Sequence, residues 1–374
     1  MKRSIRVAGT AVVALAATAV AATPASAAVS GGVGSVFVLT DNLSANTVVA
    51  FDRGPGGALR QTGVYRTGGR GGQLDGSVVD HTASQGALAL DRAAGLLYAV
   101  NPGSDTLTVF GVHGDRLDRQ QAISSGGAFP VSVAVHGDLV YVLNGRGGGS
   151  IQGYRRVGRA LVRVLAWHRT LGLDAAATPE FTHTPGQVAF TPDGTRLIIT
   201  TKAGSNAIVV FTVDRRRGPS AQPVVHTEPG AVPFAVAFDP AGRLVVAEAG
   251  PNAVATFRLG RDNTLTPLGG AATGQAATCW IVATGDRVYT ANAGSGNLSG
   301  YTVTGGGELR SLGTFATGGG QVDVAATPDG RYLYAQTGAD GHLVALRVGP
   351  GGTLTAIGEV AVPGAVGGEG VVAS

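Results

Sequence analysis

The chain has 374 residues, 44% hydrophobic and 14% charged, a balance that fits a folded globular protein and excludes intrinsic disorder. Cys279 is the single cysteine, so no intramolecular disulfide can form and stability must come from burial. The formal charge of +4 falls to near +1 once Lys2, Arg3 and Arg6 are set aside, and without a Lys/Arg stripe that balance argues against nucleic acid as a partner.

Those three basic residues belong to the first element of the chain. MKRSIR, an apolar run from Val7 to Ala22 and an Ala25-Ser26-Ala27 cleavage signal read as a secretory leader, residues 1–27, cut after Ala27. Gly9, Thr10 and Thr18 interrupt the run, no second segment could span a bilayer, and no lipid-bearing cysteine stands at the cut. The mature chain, residues 28–374, is therefore expected to be freely secreted, monomeric and independent of the membrane.

Repetition organises the rest. Short strands end on an aromatic or apolar anchor in NTVVAF (Phe51), DTLTVF (Phe110), SIQGY (Tyr154), NAIVVF (Phe211), NAVATF (Phe257), NLSGY (Tyr301) and GHLVAL (Leu346). The intervals are 59, 44, 57, 46, 44 and 45 residues, a period near 45 with two insertions. Before each anchor lies a second β-rich run, such as LLYAV or LVYVL, and before most of those a third. Asp-Gly, Ala-Gly and Gly-Asp turns join these hairpins. A weaker strand such as TLTPLGG follows the anchors. The pattern predicts an all-β fold, a seven-bladed β-propeller of four-stranded antiparallel blades. The first unit begins at its second strand, SVFVLT, and the chain ends in an orphan strand, GEGVVAS. The C-terminal strand is thus expected to pair with the N-terminal blade and close the ring.

Tyr98-Ala99-Val100-Asn101, Tyr141-Val142-Leu143-Asn144 and Tyr289-Thr290-Ala291-Asn292 resemble the YVTN repeat of bacterial propellers. With the PDG turns and the unit holding Glu248, the whole mature chain resembles the lactonase propeller family of 6-phosphogluconolactonases and carboxymuconate cyclases. The resemblance implies the propeller fold and lactone chemistry. That family carries Pro-Arg-His before one strand and Asn-Glu at the end of the next. Here Pro233, Phe234 and Ala235 stand at the first motif and Ala247 and Glu248 at the second, so the proline and the glutamate match. The family's Asp-Leu-Gly-x-Asp turn appears as Lys202 to Asn206.

In a propeller the first strand of each blade lines the channel, and one face gathers the loops around its mouth. Nine residues before their anchors stand Asn42, Asn101, Lys202, Glu248, Asn292 and Thr337, with Asn144 ten before Tyr154. Asparagine at a strand end caps its own turn. Lys202 and Glu248 are not turn formers, and as opposite charges in adjacent blades they are expected either to pair or to share a site. The stretch PEFTHTPGQ enters the first strand of the Lys202 blade and brings Glu180, His183 and Gln187 toward the same mouth. Phe129, Phe234, Cys279, Trp280 and Gln321 occupy equivalent entrances.

Other chemistry is not visible. There is no Gly-x-Ser-x-Gly elbow, no His-Glu-x-x-His and no cysteine–histidine spacing, so neither metal nor cofactor is expected. GRGGGS at 145–150 reads as a flexible turn. Two functions are consistent with these residues. One is a lactone or ester hydrolase in which Glu248 is the general base, Lys202 or His183 stabilises the oxyanion, and Glu180, Gln187, Phe234, Cys279, Trp280, Asn292 and Gln321 contact the ligand. The other is a non-catalytic propeller that binds an extracellular protein or a cell-wall polymer.

Overall fold

The computed structural model describes Met1 and residues 32–374; the leader expected over residues 1–27 lies, past Met1, outside the described residues. Seven antiparallel sheets follow one another along the chain. The first contains Gly34–Leu39, Thr47–Arg53 and Leu59–Arg66; the others occupy 88–124, 130–170, 187–227, 233–272, 278–316 and 321–361. The middle strands are apolar on both faces because each blade packs between two neighbours. In Leu96–Asn101 and Leu139–Asn144 every residue is buried. Outer strands such as Leu265–Ala272 alternate and face solvent on one side. Among the described residues no helix is long and apolar enough to cross a membrane.

Ring closure is as expected. Val371–Ala373 pairs with the inner edge of the first blade, Val36 opposite Ala373 and Val38 opposite Val371. Ser374 N–H extends the pairing to Ser35 O at 2.8 Å, and Arg53 Nη2 donates to Ser374 O at 3.1 Å.

The fourth blade departs from four strands. Its outer edge is split into Gly218–Pro219 and Val224–Thr227, both paired with Ala207–Asp214. Pro219 and Pro223 lack the N–H that a continuous edge would use. The Trp167 ring of the third blade also sits over Gly218, whose place a Cβ would contest at 2.2 Å.

The two insertions do different work. Residues 67–87, behind the first long interval, leave the first two blades over their strand ends and reach the centre of the ring with residues 79–87. Ser84 Oγ donates to Val131 O of the third blade at 2.8 Å, and Gln85 N–H reaches Gly186 O at the entrance to the fourth at 3.1 Å. Gln85 exchanges two bonds with Ile281 of the sixth blade, at 2.8 and 3.0 Å, and His81 N–H reaches Gly367 O ahead of the closing strand at 2.8 Å. A segment touching blades on opposite sides of the ring lies on its axis and plugs the channel. Two glycines make room for it: a Cβ on Gly338 would meet Val79 O at 1.7 Å, and one on Gly367 would meet the His81 ring at 2.1 Å. The second insertion, residues 171–186, folds over the fourth blade and contains one helical turn, Glu180–His183, where the sequence suggested only a loop.

Candidate functional site

Four inner strands enter the ring in the same way. A residue with left-handed backbone, Phe129, Val232, Ala277 or Gly320, precedes a β-bulge between Pro130 and Ser132, Pro233 and Ala235, Thr278 and Trp280, or Gln321 and Asp323. A bulge breaks the strand's alternation and re-aims a side chain. It accounts for the gathering of Phe234, Cys279 and Trp280 around the plug. The Phe234 and Trp280 rings meet edge to face with centroids 5.0 Å apart, and Trp280 Nε1–H donates to Ser84 O at 2.7 Å.

Lys202 lies beside them, 1% exposed. Its Nζ donates to Ala83 O and Phe181 O, both at 2.6 Å, and to Thr184 Oγ1 at 2.9 Å, and it stands 5.5 Å from the centre of the Phe234 ring. Burial pushes the ammonium down to about 7, while the charges of Asp80 and Glu180 push it back up. Three acceptors match the three protons of the charged form. The ion pair with Glu248 that opposite charges in adjacent blades suggested is not made, because plug and insertion carbonyls claim the ammonium first. Glu248, at the end of Leu244–Glu248, is partly exposed, and burial and then the charge of Glu228 push its carboxyl up to about 7.

His183 and Glu180 reach an open space instead. A pocket of about 180 Å³ opens between the GRGGGS turn and the second insertion, where Arg146, Asp174, Glu180, His183 and Thr184 converge. His183 Nδ1 lies 2.9 Å from Pro179 O, a bond that needs Nδ1–H and leaves Nε2 as the acceptor of the neutral ring. Glu180 takes both arms of Arg146, Nε at 2.7 Å and Nη2 at 2.9 Å, together with Asp75 N–H at 2.8 Å. The Arg146 bond is the chief reason that its carboxyl stays below the usual range. Arg146 also stacks 4.4 Å over Phe129, so both insertions and the third blade meet at one guanidinium.

The remaining predicted contacts are in the interior. Gln187 Oε1 accepts Val236 N–H at 2.6 Å and staples the fourth blade to the fifth. Asn292 Nδ2 donates to Asn297 Oδ1 at 2.8 Å and Ser299 Oγ at 2.9 Å within its own hairpin. Gln321 is fully buried and donates to Gly318 O. Cys279 is a half-buried free thiol, and the loss of solvent around it pushes it up to about 12. The structure therefore brings His183 and Glu180 into the pocket, sets Lys202 beneath it through Thr184, and leaves Glu248 outside its lining. Sequence reasoning passed over Arg146 and Asp174. Arg146 stands two residues after the polar strand-end position of its blade, hidden in a turn that looked merely flexible. Donor atoms of Asp340, His342 and Glu359 lie within 4.8 Å of one another on the seventh blade, a partly exposed group that could hold a cation.

These features define a seven-bladed propeller with a plugged channel and a polar pocket at its mouth. No family model and no curated protein matches the sequence. Among solved structures the chain is similar to a protein from Lactobacillus plantarum, with 20% identity over 91% of this chain and 99% of that one and a TM-score of 0.74. A candidate 6-phosphogluconolactonase of Bacteroides fragilis shares 18% identity over 91% and 97% of the two chains, with a TM-score of 0.71. The periplasmic gluconolactonase of Pseudomonas aeruginosa shares 16% over 90% and 98%, also with a TM-score of 0.71. At these identities the likeness establishes the fold, and the site has to argue the chemistry.

Proposed function

We propose that the protein is an exported lactonase-like propeller that binds, and hydrolyses, a small polar or sugar-derived lactone or ester at the channel mouth. The observation that carries this reading is the pocket of about 180 Å³ lined by Arg146, Asp174, Glu180, His183 and Thr184, which opens beside a channel occupied by the plug. The fold shared with a periplasmic gluconolactonase is in keeping with export and makes lactones the first substrates to test. Opening a lactone needs a base for the attacking water and a donor for the developing oxyanion. In this reading His183 Nε2 is the base nearest the pocket and Glu248 the alternative base. Lys202 is a positioning residue that holds Phe181 and Thr184 from below. The Arg146 guanidinium on the pocket wall supplies the oxyanion donor, Glu180 contacts the ligand, and Phe234 and Trp280 pack the support. The scheme uses no cofactor.

The test is a lactone and ester hydrolysis screen on wild type, His183→Gln and Glu248→Gln. Wild type is expected to turn over at least one substrate, and the variant lacking the base to lose on the order of 10²-fold or more. If Glu248 is the base, the wild-type rate rises with pH through about 7, where burial and Glu228 place its carboxyl. Wild type inactive across the screen sinks the hydrolase reading. The plugged channel favours a second reading, a non-catalytic propeller for an extracellular protein or cell-wall polymer, which that outcome would leave standing.

A further inference from the structure

Three carboxyl groups from three separate segments are buried around the channel axis: Asp80 on the plug, Asp323 on the inner strand of the seventh blade and Glu369 just ahead of the closing strand. Asp80 is enclosed by its own turn, accepting Thr82 N–H and Thr82 Oγ1–H at 2.8 Å each and Ser84 N–H at 2.9 Å. Asp323 accepts Val324 N–H and Val371 N–H, both at 2.8 Å. Glu369 accepts Gly86 N–H at 2.9 Å and Ala87 N–H at 3.1 Å. Asp323 and Glu369 are also within hydrogen-bonding reach of each other. Two ionised carboxylates repel strongly in such an interior, whereas one proton between them turns the contact into a hydrogen bond.

We propose that Asp323 and Glu369 share one proton, and that this proton is a pH-sensitive latch joining the closing strand to the seventh blade and to the base of the plug. The backbone partners say what the latch holds. Val371 is the first residue of the closing strand, and Gly86 and Ala87 lead from the plug into the second blade. Asp80 is the charge that acts on both carboxyls of the pair, and around Asp80 in turn lie Lys202, Cys279 and the Asp41–His81 pair, whose closest atoms are 3.5 Å apart. Burial raises Asp80 as well, and the nearby cations serve other carboxyls, Lys202 acting on Asp80 and His81 on Asp41. Burial and then the charges of Asp323 and Asp80 hold Glu369 well above the ordinary carboxylate range, and burial holds Asp323 at about 6. An acid raised in the folded state binds more protons folded than unfolded. The stability it contributes is complete below the ordinary carboxylate range and is lost as pH rises through about 6 and beyond.

The experiment compares urea unfolding of wild type and Glu369→Gln at a series of pH values from acid to mildly alkaline, with hydrogen exchange at the Val371 amide. Glutamine keeps the shape and has no proton to lose; because Gly86 and Ala87 donate to separate oxygens of Glu369, the amide oxygen replaces only one of those acceptors, and a constant loss of stability is expected beside the pH-dependent difference. The wild-type midpoint is expected to fall relative to the variant as pH rises through 6, and Val371 protection to fall relative to Val246 of the fifth blade in wild type alone. A pH-independent difference between the two proteins overturns the latch. Should Glu369→Gln not fold, Asp323→Asn serves the same comparison. Within wild type, a Val371-to-Val246 protection ratio that stays constant across that range overturns it as well.

Discussion

Lys202 keeps an ammonium in the interior because three oxygens from two insertions meet it, and each of those oxygens in turn depends on the ammonium. Lys202→Met would leave the Ala83 and Phe181 carbonyls without their donor and Asp80 without its cation. A loss of roughly 3 to 5 kcal/mol is expected, measured by urea unfolding. A loss below about 1 kcal/mol would mean that the ammonium is reached by solvent. Cys279 makes a second prediction at this scale. With its thiol pushed up to about 12, it should alkylate slowly at mildly alkaline pH in the folded protein and at the ordinary rate in urea. Equal rates would show that its surroundings are open. What the sequence made legible here followed from local chemistry. Asn42 accepts from Ser44 and Ala45 as an asparagine in its own turn does. The partners of Lys202 were not legible, because they sit 119 and 21 residues away in chain segments whose paths follow no repeat.

The repeated elements were readable for a physical reason: each blade repeats the same burial, so strand pattern, turn residues and anchors recur together. The insertions broke that period, and their placement depends on shape complementarity at sites such as Gly338, where the plug backbone passes too closely for any side chain. Gly338→Ala is therefore expected to unseat the plug. Its effect should appear as a red shift of Trp280 emission, since the indole loses the Ser84 carbonyl and gains water, with roughly 1 to 3 kcal/mol of destabilisation from overpacking. Unchanged emission would place the strain elsewhere. The closing strand makes a parallel case. Removing residues 368–374 strips the inner edge from the first blade and also removes Glu369. The melting temperature should fall by several degrees, as for a loss of a few kcal/mol. An unaltered melting curve would mean that the pairing adds little to the ring.

Across the whole molecule the blades could behave as a chain of neighbours, each stabilised only by the next, as stacked repeats do. One hydrophobic cluster joins Phe37 of the first blade, Leu97 of the second and Val140 of the third, and another joins Val245, Ile281 and Val324 of the fifth, sixth and seventh. Nothing in those clusters ties the two halves of the ring together except through intervening blades. The plug supplies that tie, because Gln85 bonds Ile281 from one side of the axis while Ser84 and Gln85 bond Val131 and Ser132 on the other. Unfolding should then be a single transition, and the two tryptophans, both buried, report on it from different blades, Trp167 in the third and Trp280 in the sixth. In wild type, tryptophan emission and the far-ultraviolet circular dichroism of the strands are expected to give coincident urea midpoints. Gln85→Ala removes the two bonds to Ile281 and weakens the cross-ring tie while leaving the blade cores intact. The two midpoints should then separate and each transition should broaden, since a smaller cooperative unit exposes less surface and has a lower denaturant slope. Midpoints already apart with Gln85 in place would show that the blades unfold as an array and that the plug fills the channel without coupling it.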